Sequence, residues 1–299
     1  MATAKERRQF IDKFMQTFEK KLSELERLLL RKIIDKFIKE YTEAQSLTSS
    51  GKAEKLSNAV KSIYDSFKGN QNIKLINDFV KQLEQLADLQ DGYFNSLGLS
   101  RQMIRKAEAG ARIVMREKLG INANGTVKKG SFIHKYLMKD DNAKRIQSII
   151  RSSVIRGSEP SVIINRITRV VTGTKEQAGV LTHHYRTFAY DTMQQYDAEY
   201  GKNVAVEIGL KYFIYSGGTI ETTRDFCKSK AGKVFSIDEA QEWRNDPKLL
   251  VTKDELKKGR KDYDPIVDRG RWNCRHTIEW ITEEEAFRRR PELRKLKTA

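Results

Sequence analysis

Cysteine and proline are both scarce in this chain of 299 residues. Its two cysteines, Cys227 and Cys274, are too few for a disulfide framework of the kind that holds small secreted domains together. Three of its four prolines lie beyond residue 245, so little interrupts helices before that point. No apolar run approaches the roughly 20 residues that cross a bilayer, and the charged first residues are unlike a signal peptide. We therefore expect a protein that is made and used on the cytoplasmic side of any membrane.

Negative charge is also in short supply. The chain has 57 Lys and Arg against 40 Asp and Glu, a formal net charge of +17. This balance favours a polyanionic partner, with nucleic acid as the first candidate and an acidic membrane surface as the second. A basic protein with an acidic protein partner is the alternative.

The positive charge is concentrated between residues 101 and 156, a segment that contains 14 basic and only 4 acidic residues. Eight of the basic residues could neutralise phosphates without reading sequence, which predicts DNA binding of low specificity and steep salt dependence. The alternative is an ordinary solvated helix face. The eight are Lys128, Lys129, Lys135, Lys139, Lys144, Arg145, Arg151 and Arg156.

Apolar residues recur every three or four positions through the first 200 residues, which predicts helices. Asn124-Gly125 predicts a loop or small hairpin, and Gly69-Asn70 predicts a break between two helices. The first helix carries an apolar stripe that suits core or coiled-coil packing, with peripheral membrane binding as an alternative. The predicted helices cover residues 5–44, 53–67, 73–89, 100–119, 132–156, 160–171 and 175–200.

The pattern changes after residue 201. Strands are predicted over 204–215, 232–235 and 277–281, since these segments are rich in β-branched and aromatic residues. Ser236 is predicted to cap a short helix, with Glu239 at the capping-box position. We thus predict a mainly α fold with an extended helical region (1–200, including the basic segment 101–156) and a small α+β module (201–299).

The two cysteines and one histidine are the candidate metal ligands of this module. Cys227, Cys274 and His276 could supply three of the four ligands of a tetrahedral zinc site, and Asp225, Asp268 or water could complete it. Three other interpretations remain open at this stage. The thiols could be small buried hydrophobes, they could form a disulfide, or one could be a catalytic nucleophile.

The order of motifs in the last third resembles that of the Mu F-like minor head (head morphogenesis) proteins of tailed bacteriophages. An aromatic strand, a Thr-Arg-x-x-Cys turn, a Gly-Lys-apolar strand and an Asn-Cys-Arg-His element follow one another over roughly residues 175–285. The chain has His276 where many members have a final cysteine. The residues that carry the resemblance are Tyr215, Gly217, Gly218, Arg224, Cys227, Gly232, Trp243, Asn273, Cys274, Arg275 and His276.

The resemblance implies a non-enzymatic component of the virion head. Such proteins associate with the portal vertex, other head proteins and the packaged double-stranded DNA, and they aid head assembly or genome delivery. We accordingly expect the chain inside the capsid near the portal, and in the host cytoplasm during assembly. The first alternative is a DNA-processing enzyme with a zinc-supported module, although an HNH nuclease needs a histidine base and further ligands near a ββα hairpin. A host-derived basic adaptor is the second alternative.

Overall fold

The computed structural model describes residues 3–131, 133, 142–249, 262–271 and 273–296. The chain is mainly helical and carries a small three-stranded antiparallel sheet near its C-terminus, which confirms the predicted fold class. None of the helices within these ranges combines the length and apolar character that a bilayer crossing requires.

Two long helices form the first third of the chain, α1 (Ala4–Glu43) and α2 (Ser49–Asn95). Side chains of α1 are buried every three to four residues, as Phe18, Leu22 and Leu29 illustrate, so the predicted apolar stripe is real. The predicted break at Gly69-Asn70 is wrong, because α2 runs through it without interruption. A helical glycine costs only about 1 kcal/mol, which the packing of a 47-residue helix outweighs.

Four more helices follow within the described ranges, and a turn at residues 120–131 comes after the first of them. They are α3 (Arg101–Leu119), α4 (Asn142–Ile155), α5 (Pro160–Thr172) and α6 (Val180–Glu207). An isolated antiparallel bridge joins Ile121 to Val127, and Gly125 has a φ of 81° at the turn, so the predicted small hairpin is present. Most of the predicted helix start at 132–141 lies outside the described residues.

The sheet has the order β2-β1-β3, with both pairs antiparallel. The strands are β1 (Tyr212–Ser216), β2 (Val234–Ser236) and β3 (Thr277–Ile281). The prediction that the first strand begins at 204 is wrong, because α6 continues to Glu207. Tyr196, Tyr200 and Val204 are all buried at four-residue spacing, so a helical face occupies this stretch.

Short helices complete the C-terminal part: α7 (Asp225–Lys230), α8 (Ile237–Gln241), a 3₁₀ turn (Glu242–Asn245), α9 (Glu283–Arg289) and α10 (Leu293–Leu296). The predicted capping box is confirmed, since Ser236 Oγ accepts the N–H of Glu239 while the Glu239 carboxylate accepts the N–H of Ser236.

The two faces of the sheet have different cores. On one face, Tyr212 and Ile214 pack with side chains of β2, β3, α9 and α10. On the other face, the ring of Phe213 lies 5.6 to 6.2 Å from those of Phe235, Trp243 and Trp280. Because side chains alternate along a strand, Tyr215 lies on the Phe213 face. This face holds the candidate site.

The chain divides into two compact units that are interleaved in sequence. We call Met1–Lys13, Lys81–Lys118 and Tyr190–Ala299 the sheet unit, and Phe14–Val80 and Leu119–Ala189 the helical unit. The sheet unit thus combines the predicted C-terminal module with helical residues from before position 200. The boundary predicted at 200/201 stays a prediction.

Candidate metal centre

Cys227, Cys274 and His276 meet in the sheet unit, although 47 residues separate the two cysteines along the chain. Cys227 lies in α7, while Cys274 and His276 come directly before β3. All three side chains are buried, and their ligand atoms lie within 4.8 Å of one another. This cluster could therefore hold a metal ion.

The separations of these atoms suit one small tetrahedral ion. The Sγ atoms of Cys227 and Cys274 are 3.9 Å apart, and Cys274 Sγ lies 3.8 Å from His276 Nδ1. With zinc–sulfur bonds of about 2.3 Å and zinc–nitrogen bonds of about 2.0 Å, tetrahedral geometry requires edges of about 3.8 and 3.5 Å. Both cysteines are free thiols in the structure.

A fourth polar atom, the hydroxyl of Tyr215, touches both sulfurs. Its oxygen is 3.3 Å from Cys227 Sγ and 3.6 Å from Cys274 Sγ. The phenol ring stacks on the imidazole of His276, with centroids 5.0 Å apart. The sequence analysis named Tyr215 as a residue of the motif but not as a metal ligand, because an aromatic residue in a strand is usually part of a core.

The loop that presents Cys274 has an unusual backbone. Arg269, Arg271 and Asn273 have φ values of 46°, 69° and 56°, a left-handed region that non-glycine residues seldom adopt. Two contacts hold this conformation: Tyr263 donates its hydroxyl proton to the carbonyl of Arg269, and the N–H of Asn273 donates to Asp191 Oδ1 at 2.9 Å. Such conformations cost roughly 1–3 kcal/mol each and concentrate at functional sites.

The two thiols have strongly divergent pKa values. A hydrogen bond from Cys227, aided by His276 and the charge of Arg269, holds the pKa of Cys274 well below its usual range. The same hydrogen bond, together with burial, raises the pKa of Cys227. Of the two thiols, Cys274 is therefore the one that loses its proton more readily. A thiolate is the form that binds metal.

A polar cavity of about 110 Å³ adjoins Cys274. Arg269 lines it with only 2% of its surface exposed, and its Nε and Nη1 find no hydrogen-bond partner among the described residues. Asp191 also lines it, and burial raises the pKa of this carboxyl group, opposed by the N–H of Asn273 and the charge of Arg269. The remaining lining residues are Gln194, Gln195, Asp262, Tyr263, Asp268 and Arg271.

Neither acidic residue considered as a fourth ligand joins the cluster that the described residues form. The side chain of Asp225 is 78% exposed and pairs with Lys228. Asp268 Oδ2 accepts the N–H of Asp264, and its Oδ1 accepts from Gln195.

The other residues of the family motif surround the cluster or stabilise the strands beside it. A Cβ at Gly217 would lie 2.5 Å from the ring of His276, so this position requires glycine. The edge of Trp243 packs against the ring of Tyr215. Arg224 precedes α7 as its N-cap residue, and Gly232 turns the chain into β2 with a φ of 76°. Gly218 borders open space, and the side chains of Asn273 and Arg275 are exposed.

The predicted nucleic-acid residues that the structure describes belong to the helical unit and have exposed side chains: Lys128, Lys129, Lys144, Arg145, Arg151 and Arg156. Arg151 Nε donates to Ser57, so its guanidinium is tethered to α2. Arg145 lines a surface hollow with Arg169 of α5, a residue that the sequence analysis did not name. Lys135 and Lys139 lie outside the described residues.

No protein-family model, no curated protein and no solved structure matches the chain.

Proposed function

We propose that the chain is a non-enzymatic minor head protein of a tailed bacteriophage, which associates with the portal vertex and packaged DNA and aids head assembly or genome delivery. The observation that carries this proposal is the convergence of Tyr215, Cys227, Cys274 and His276 in one buried cluster. These residues belong to the motif that resembles the Mu F-like proteins. Because these residues are also close together in space, the motif corresponds to one structural unit.

We assign zinc as the ion of this cluster. Two thiols and an imidazole form a soft ligand set, which zinc accepts and which magnesium and calcium avoid. All three ligands are buried, as in structural zinc sites. The role of the ion would be to hold α7 and the Cys274 loop to the sheet, since the binding energy of a structural metal is also folding energy.

The DNA contact would come from the exposed basic residues of the helical unit. Lys144 and Arg151 are seven residues apart on α4 and therefore lie on one face of that helix. Lysine and arginine contacts to phosphates neutralise charge without reading bases, as a protein that touches packaged DNA of any sequence requires.

Localisation in the particle tests the proposal. Virions purified from cells that produce a tagged copy of the chain should contain it at a fixed, low ratio to the portal protein. Chemical crosslinks should join the two proteins. Absence of the chain from purified virions, with the tag intact in the lysate, would overturn the proposal and favour a host-derived adaptor.

A DNA-processing enzyme is the second candidate, because the polar cavity with Asp191 and Arg269 lies beside the Cys274 thiol. Incubation of the purified chain with plasmid DNA and Mg²⁺ or Zn²⁺ separates the two proposals. We expect intact plasmid. Cleavage that disappears in the His276→Ala variant would favour the enzyme.

A further inference from the structure

We propose that the phenolic oxygen of Tyr215 is the fourth ligand of the metal ion, so that Cys227, Cys274, His276 and Tyr215 form a closed tetrahedral site. This inference rests on the zinc site of the proposed function and adds a ligand that the sequence motif did not indicate.

The distances around the hydroxyl support coordination. Tetrahedral zinc with a zinc–oxygen bond of about 2.0 Å and zinc–sulfur bonds of about 2.3 Å requires oxygen–sulfur edges of about 3.5 Å. The hydroxyl oxygen lies 3.3 and 3.6 Å from the two sulfurs. A phenol has one proton and can donate it to one sulfur at a time. Its nearly equal distance to both sulfurs is what an ion between them would produce.

Gly270 packs closely against one face of the cluster. A Cβ on Gly270 would lie 2.3 Å from Cys227 Sγ, 3.1 Å from Cys274 Sγ and 3.5 Å from the Tyr215 hydroxyl. The backbone at Gly270 therefore covers the face that these three atoms form.

The Tyr215 ring is also held in place. It stacks on His276 and meets the edges of Phe226 and Trp243. The hydroxyl cannot move away from the two sulfurs unless these rings move as well. A site closed by four protein ligands is the form that structural zinc takes, whereas catalytic zinc keeps an open position.

The charge of such a site matches its environment. Two thiolates, one phenolate and a neutral imidazole around Zn²⁺ carry a net charge of −1. Arg269 supplies a buried positive charge that acts on Cys274, and its Nε and Nη1 have no hydrogen-bond partner among the described residues. A buried charge is costly unless an opposite charge compensates it.

Metal binding in this scheme is a ligand exchange without oxidation or reduction. Hydrated Zn²⁺ gives up its waters and forms bonds to two sulfurs, one nitrogen and one oxygen. Every proton that the two thiols still hold passes to the solvent, as does the phenolic proton of Tyr215. Replacing Tyr215 by phenylalanine therefore removes one ligand and one released proton.

Titration of the metal-free full chain with Zn²⁺ tests this inference. We expect the wild type to develop the ultraviolet difference absorption of tyrosinate as it binds one equivalent. Tyr215→Phe should lose this signal, release one proton fewer and bind zinc more than about tenfold more weakly, because even outer partners of zinc ligands contribute tenfold or more. Tyr93→Phe is the matched control, since Tyr93 is a buried tyrosine of the same unit whose hydroxyl donates to the carbonyl of Trp280. It should bind zinc like the wild type.

The possible failures can be told apart. Zinc binding by the wild type that depends on Cys227 but produces no tyrosinate signal would overturn the role of Tyr215 and leave the zinc site in place. Absence of zinc binding in the wild type would overturn the zinc site and this inference together. The tyrosinate signal is read on the wild-type chain, so the test stands even if Tyr215→Phe does not fold.

Discussion

Gly270 is the residue on which the close approach of the two cysteines depends. Its missing side chain leaves the space that the Sγ atoms of Cys227 and Cys274 occupy. We expect Gly270→Ala to lower the free energy of unfolding by about 1–3 kcal/mol, the usual cost of overpacking, and to weaken zinc binding. Urea unfolding and zinc titration measure the two effects.

Gly218→Ala is the matched control for this substitution. Gly218 belongs to the same sheet unit, and a Cβ added there would meet nothing within 4 Å. We expect its stability and zinc affinity to stay close to those of the wild type. Equal losses in both variants would mean that packing against the sulfurs is not the cause.

The sequence could indicate the cysteine and histidine ligands but not their neighbours. Cysteine and histidine are rare in this chain, and Cys227, Cys274 and His276 lie in motifs that resemble those of a known family. Sequence analysis can therefore select them as candidate ligands. Tyr215 and Arg269 are common types whose importance arises from position. The contact between Tyr215 and Cys274 joins residues that are 59 positions apart, and no local periodicity reports such a contact.

At the scale of elements, Glu26 is a buried acidic residue whose carboxylate contacts the N-terminus of α6. Glu26 is buried in the helical unit, and its Oε1 accepts the N–H of Thr182 in the first turn of α6 at 2.7 Å. A carboxylate at a helix N-terminus satisfies free N–H groups and complements the helix dipole. Burial nevertheless raises the pKa of Glu26, against these hydrogen bonds.

This raised pKa predicts a pH dependence of stability. Just above the ordinary glutamate pKa, the unfolded chain has lost this proton while the folded chain still holds it. The contribution of Glu26 to stability is therefore complete below that pKa and declines as the pH rises through the folded value. We expect Glu26→Gln, which cannot ionise, to gain stability relative to the wild type between about pH 4 and pH 7. Urea unfolding across this range measures the difference.

Glu24→Gln is the control, since Glu24 lies on the exposed side of the same helix. Its stability should follow the wild type at every pH. A constant difference between Glu26→Gln and the wild type over the whole range would contradict the assignment.

A buried ion pair connects α1 with α6 in the sheet unit. Arg7 Nε donates to Asp197 Oδ1 at 2.9 Å, and neither side chain is more than 1% exposed. Arg7 also donates to the carbonyl of Ile278, and Gln90 donates to the same Asp197 oxygen. Loss of either charge would leave the other buried without compensation.

We expect Arg7→Met to lower the free energy of unfolding by about 3–5 kcal/mol, and the double variant Arg7→Met/Asp197→Leu to lower it by less than Arg7→Met alone. Urea unfolding followed by tryptophan fluorescence measures both. Arg288→Met removes a solvent-exposed charge that pairs with Glu285 and should leave the free energy of unfolding close to that of the wild type. A double variant as unstable as the sum of its single variants would contradict the expected coupling.

Element boundaries show where sequence patterns succeed and fail. The predicted strand over 277–281 agrees with β3, because its β-rich residue types are buried on both faces of the sheet. The stretch 204–207 is rich in valine and was predicted as strand, yet it continues the buried face of α6. Tertiary packing overrides intrinsic propensity at such positions, as it does at Gly69 in α2.

At the scale of the whole molecule, tryptophan fluorescence reports on one unit alone. The three tryptophans, at positions 243, 272 and 280, all fall within the sequence of the sheet unit. The candidate metal centre belongs to the same unit. Changes in metal content should therefore appear in the fluorescence of the chain.

We expect a chelator to lower the urea midpoint of tryptophan fluorescence, because a ligand that binds only the folded state stabilises it by mass action. The stabilisation is about 2.7 kcal/mol at a free zinc concentration one hundred times the Kd. Added zinc should restore the midpoint in the wild type but not in Cys227→Ser. A urea midpoint that changes with neither chelator nor added zinc would contradict a structural role for the metal.

The interleaved order of the two units bears on how the chain is synthesised. A ribosome releases residues 14–80 and 119–189 before the last segment of the sheet unit, Tyr190–Ala299, exists. The segment Lys81–Lys118 includes Phe94 and Ile104, which are fully buried in the folded structure. At about 5–20 residues per second, this segment waits on the order of ten seconds for the rest of its unit. Nascent chains should therefore engage chaperones during this interval, and the helical unit should acquire protease resistance first.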